Sequence, residues 1–191
     1  MTTAELYNEL NDVNQSREKR LFYANMVIGN PDLLPKLLDI LFDVEDKMSE
    51  RAAWIFEFVC RKNINLIIPY LDTFTENMGK VSRDSAVRPV AKICELVVLA
   101  YCDKADNPIK WALTNTHKER IIETCFDYMI NNEKVAPKAY AMSALNLLGK
   151  DYDWVHPELK LILERDFYEQ SAAFKARAKH ILNKIKKGQK D

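Results

Sequence analysis

Apolar residues recur along this chain with the period of an α-helix, most clearly from Ser85 to Val97. Val90, Ile93, Cys94 and Val97 fall at i, i+3, i+4 and i+7, one face of a helix. Leu96 and Leu99 widen the stripe, which predicts cover on more than one side. Ser85 is placed to cap this helix, with Asp84 at the positive end of its dipole. Pro89 then falls in the first turn, where backbone N–H groups have no intrahelical partner.

The pattern repeats. A basic residue opens similar helices at Arg51, Arg88, Lys138 and Lys175, with spacings of 37, 50 and 37. The longer middle spacing holds a polar insertion, about 103–115. The helices before these keep the same register. Ile122, Cys125, Phe126 and Ile130 map onto Leu159, Ile162, Leu163 and Phe167 at a shift of 37, and Leu34 and Leu37 onto Leu71 and Phe74. Pairs of helices recurring together at this length are the signature of an α-solenoid.

In chain order the predicted helices span about 3–13, 16–28, 32–44, 49–62, 64–75, 85–102, 116–130, 136–148, 157–165 and 170–187. Ser49 is expected to cap the fourth, and Pro69 to bend the fifth or delay its start. The insertion carries one or two helical turns at Ile109 to Leu113. Gly29, Gly79 and Gly149 fall where helices should end.

Val87-Arg88-x-x-Ala91, followed by Ile93 and Leu96, resembles the second helix of a HEAT repeat. The likeness extends from about 31 to 187, with Glu50 standing where such a repeat prefers an apolar residue. The resemblance implies an all-α fold, a right-handed α-α superhelix of about five helical hairpins, with 1–191 as a single domain. It also implies protein binding by the concave face of the second helices. The chain is similar as well to short bacterial proteins that sometimes carry the name adenylosuccinate lyase. The lyase's Ser-Ser-x-Met-Pro-x-Lys loop has no counterpart in this sequence, so that activity is not expected.

Twenty-eight basic and 28 acidic residues cancel, leaving no global field for nucleic acid or an anionic membrane. With 48% hydrophobic residues the chain has ample material for a core. No run approaches the roughly 20 apolar residues that span a bilayer, and the N-terminus lacks the basic and apolar regions of a signal peptide. Cys60, Cys94, Cys102 and Cys125 form no CxxC pair; three sit on apolar helix faces and are expected as free thiols in a reducing, cytoplasmic setting.

Function is less legible. The four recurring cations could line an inner surface and grip acidic groups. The plainer expectation is a structural ladder in which each bonds a neighbouring acid (Asp46, Asp84, Glu133 or Glu169) or a turn carbonyl. Trp54, Glu57 and Arg61 share a helix face in a manner similar to the base pocket of HEAT-like DNA glycosylases. The aspartate of that signature is missing, and Trp54 reads more simply as core. His117, His156 and His180 lie in different units with no zinc spacing, and no phosphate loop or nucleophile elbow occurs, so no cofactor, metal or catalytic residue is assigned. The only sustained basic run, Lys184 to Lys190, predicts at most weak, tail-dependent DNA binding, no tighter than about 10⁻⁴ M. The expected function is a non-catalytic scaffold for another protein. Its contacts would be the polar positions on second helices: Arg61, Lys92, Glu95, Asn146 and Lys179. A nucleic-acid-binding or glycosylase-type protein and a structural homodimer are the alternatives.

Overall fold

The structure, a computed structural model, describes residues 1–188. Its helices are α1 (Thr3–Glu9), α2 (Arg17–Gly29), α3 (Leu33–Phe42), α4 (Met48–Lys62), α5 (Leu71–Asn77), α6 (Asp84–Tyr101), α7 (Pro108–Ala112), α8 (Asn115–Ile130), α9 (Val135–Leu148), α10 (Val155–Asp166) and α11 (Ala172–Gly188). No strand occurs among the described residues. The chain is an all-α solenoid of two layers. In one layer α2 packs on α4, α4 on α6, α6 on α9 and α9 on α11. Of these, α4, α6, α9 and α11 are the helices the register of basic residues aligns. The other layer holds α1, α3, α5, α8 and α10, with α3 against α4, α8 against α9 and α10 against α9 and α11.

The register positions explain the core. Leu34, Leu37, Leu71 and Phe74 are all buried, and Phe74 sits between Phe56 and Phe42 at ring distances of 6.0 and 6.3 Å. Val90, Ile93, Cys94 and Val97 are fully buried on α6, as predicted. Cys60 and Cys125 are buried free thiols, and burial pushes the Cys60 thiol far up. Phe126 and Ile130 depart from the pattern: Phe126 is half-buried and Ile130 is 55% exposed.

Helix starts differ from expectation. Ser49 and Ser85 lie inside α4 and α6 and cap neither. Asp46 serves α4 instead, its carboxylate accepting the Met48 N–H at 2.8 Å, while the Ser49 hydroxyl is buried without a hydrogen-bond partner. Because α6 begins at Asp84, Pro89 stands beyond the first turn, where its missing N–H leaves the Ser85 carbonyl unserved. The Trp54 indole N–H, from α4, donates to that carbonyl at 2.8 Å. A main-chain defect in one helix is thus closed by the side chain of its neighbour in the layer.

Pro69 has the expected effect. Residues Ile64–Tyr70 form a 3-10 segment and the α-helix starts only at Leu71. The insertion folds into α7, whose Ile109 is fully buried against α6 and that 3-10 segment. Gly149 ends α9 without a positive φ. A glycine is needed there because a Cβ would meet the His156 ring at 2.2 Å. The basic tail of about 184–191, which the sequence leads one to expect as a frayed helix end, is helical as far as Gly188; 189–191 lie outside the described residues.

Candidate functional site: an arginine-lined groove on the second-helix layer

Side chains from α2, α4, α6 and the start of α9 line a hollow of about 340 Å³, including Arg20, Trp54, Arg88 and Pro137. In a flat layer α2 and α9 would stand three helix steps apart, about 24–30 Å. Their sharing one hollow shows that this face is indented. A second hollow of about 310 Å³ continues it, with Gln15, Arg20 and Arg88 common to both and Arg17, Glu57, Phe58 and Arg61 added.

Glu57 anchors the site. Its side chain is 1% exposed, and both oxygens are used. Arg61 donates to Oε1 through Nε at 2.8 Å and through a terminal nitrogen at 2.7 Å. Arg88, reaching from α6, donates to Oε2 at 2.8 Å. Arg20 lies over the Trp54 ring at 4.6 Å and within 6.0 Å of the Phe58 ring. Burial first, and the Arg88 charge second, lower the Arg20 pKa. Four arginines therefore line this second hollow beside one carboxylate; two of them bond it, and Arg20 registers the repulsion of Arg88. At the α9 end the charge is mixed: Lys134 pairs with Asp84 at 2.8 Å, and burial together with Asp84 holds the Glu133 carboxyl above its usual range.

Of the residues singled out from sequence, Arg61 belongs to this groove. Lys92 stands one turn beyond Arg88 on α6; it pairs with Glu95 and lies 4.7 Å over the Tyr140 ring of α9. Glu95 and Asn146 are buried, so they present little surface to a partner, and Lys179 is exposed on α11. Trp54 is partly buried, packed on the core with one edge in the groove. Three of the four ladder cations are bonded, but not to the acids named for them. Arg51 donates to the carbonyls of Leu10 and Asn11, Lys138 to the carbonyl of Met129, and Arg88 to Glu57.

Arg17 and Arg20 escaped the sequence reading. A signal existed: both lie in the first turns of α2, where the helix dipole disfavours cations. His117 is engaged with Asp72 at 2.7 Å, and among the described residues no three His, Cys, Asp or Glu side chains are placed to hold a metal ion. No described helix is long and apolar enough to cross a membrane.

Comparison with curated proteins and with solved structures gave no match. A family model described as a HEAT repeat domain matches residues 6–185, nearly the whole run of paired helices described above. The chain belongs to the HEAT repeat domain family.

Proposed function

We propose that this protein is a non-catalytic interaction module, working in the cytoplasm, that seats an acidic segment of a partner protein in the groove between α2 and α9. The observation that carries this reading is the excess of arginine at the α2 end of the groove: Arg17, Arg20, Arg61 and Arg88 line a hollow in which Glu57 is the one carboxylate. A guanidinium fork with one face committed to Glu57 keeps other N–H groups for an incoming carboxylate. Because Glu57 already fixes Arg61 and Arg88, less side-chain entropy is lost on binding.

A protein partner suits the groove better than a nucleic acid. The Trp54 face carries Arg20 and its N–H is used by Ser85, so no open aromatic platform awaits a base. Asp84 and Glu133 interrupt the positive charge that a phosphate backbone would follow. Free cysteines, three of them buried, are consistent with a reducing compartment.

The test is fluorescence anisotropy with a labelled Asp/Glu-rich peptide and with duplex DNA, using the full chain and the Arg17→Gln/Arg61→Gln variant. Both arginines are exposed, so the fold should survive. The expected result is peptide affinity reduced by about tenfold, or about 1.4 kcal/mol, with DNA binding weak. Unchanged peptide binding would remove the groove from the reading. DNA binding that is tighter than peptide binding and falls in the same variant would put nucleic acid in its place.

A further inference from the structure

The opposite layer carries a second surface of different chemistry. On α8, Glu119, Ile122, Glu123, Phe126, Asp127 and Ile130 form one helical stripe, and Trp154, just before α10, borders it with Glu158 and Ile162 of α10. Together they line a hollow of about 550 Å³. Its floor is apolar, and Ile130 and Trp154 are 55% and 53% exposed. Trp154 is held in place: its ring stacks on Phe126 at 5.6 Å and 25°. Large, fixed aromatic side chains beside open apolar surface are what binding sites present, and what an isolated chain gains nothing by exposing.

The rim is acidic throughout. Glu119, Glu123, Asp127 and Glu158 surround the floor, and among the described residues none of these carboxylates takes part in an ion pair or side-chain hydrogen bond. The cations beside them in sequence are turned away. Lys118 is buried against Tyr101 and Asp151, and Arg120 pairs with Glu76. Glu119, Glu123 and Asp127 stand at i, i+4 and i+8 of one helix, so they repel one another with nothing between them. That repulsion is relieved only when positive charge arrives from outside.

We propose that this patch is a docking surface, separate from the groove, for an amphipathic helix of a partner protein whose apolar ridge is flanked by lysine or arginine. The stripe from Glu119 to Ile130 is about 16 Å long, room for three turns of such a helix. Acidic lipid and nucleic acid are repelled by the rim. A second copy of this chain does not supply the ridge. Its basic α11 has no acidic residue, but Phe174, Ile181 and Ile185 are already buried in its own core.

The experiment uses the full chain and a labelled peptide of about 18 residues, five helical turns, built from Leu and Lys, beside a counterpart with Glu for Lys. The Leu/Lys peptide should bind at least about tenfold more tightly than the Leu/Glu one, with an affinity that falls as salt rises. Ile130→Asp should weaken it by about tenfold. Glu123→Lys/Asp127→Lys, at two exposed positions, should weaken it as much and should improve binding of the Leu/Glu peptide. Binding unchanged in both variants would overturn the proposal. So would sedimentation showing a dimer that Ile130→Asp converts to monomer, since the patch would then be a contact between copies. Neither result bears on the arginine groove, which lies on the other layer.

Discussion

Pro89 shows how one residue can bind two repeats. Its ring cannot donate to the Ser85 carbonyl, and the Trp54 indole fills the vacancy from α4. Trp54→Phe should therefore cost about 1 kcal/mol, the low end of the penalty for an unserved carbonyl, since Ser85 is only partly buried. In a Pro89→Ala background, where the alanine restores the main-chain donor, the cost should shrink by about 0.5 kcal/mol or more in a urea double-mutant cycle. Equal costs in both backgrounds would mean the indole bond contributes nothing. Glu57 gives a second case. Arg61→Ala or Arg88→Ala leaves it one partner, whereas the double variant leaves a buried carboxylate with none. The double variant should lose about 3–5 kcal/mol, more than the two single losses together. Glu133 gives the pH dependence. Its folded pKa is raised by burial and by Asp84, so the folded chain takes up its proton more readily than the unfolded one. The unfavourable contribution is fully present above the raised pKa and fades as pH falls through it toward the ordinary value of 4.5. Glu133→Gln should raise the melting temperature at pH 7, and the gain should vanish below pH 4.5.

At the scale of elements, the irregular pieces support the regular ones. Pro69 keeps Ile64–Tyr70 in a 3-10 form, which shortens the first helix of its pair to Leu71–Asn77. The insertion restores cover: α7 lies on that segment and on α6, with Ile109 fully buried between them. What looked like a polar interruption is a plug. Ile109→Ala should cost about 2–5 kcal/mol in urea denaturation, as for a buried core residue. A cost within about 0.5 kcal/mol, the range of surface substitutions, would show α7 to be a detachable loop. On α8 the helical period sorts a mixed run. Lys118, Glu119 and Arg120 alternate in sign along the chain, yet the helix sends Lys118 inward, Arg120 to Glu76 and Glu119 to the patch rim.

For the whole molecule, a solenoid is held by contacts between successive units, so stability should grade along it. Helix α6 is flanked in its layer by α4 and α9, whereas α11 closes the row with α9 as its neighbour there. Native-state hydrogen exchange should find the α6 amides most protected, and those of α11 opening at lower free energy. Uniform protection through both would indicate a single cooperative unit. The two layers also divide the charge that cancels in the sum: arginine gathers in the groove of one, carboxylate on the patch of the other.

The linear pattern by itself determined the helices, their pairing at 37 residues and the layer they share. Those follow from apolar residues at i, i+3, i+4 and i+7, whose burial requires a neighbour of the same kind. It also placed Cys60, Cys94 and Cys125 in the core. Only the tertiary structure decided which charges meet. Arg20 lies in α2 and Arg88 in α6, and nothing in local spacing relates them; they share a groove because α2, α4 and α6 pack in order. Glu95 and Asn146 read as surface because they are polar on an apolar helix, yet the neighbouring helices bury them. Phe126 and Ile130 read as core by the same reasoning, yet no described element of this chain covers the outer stripe of α8. Periodicity says which residues share a face, and the packing of distant helices says whether that face is closed.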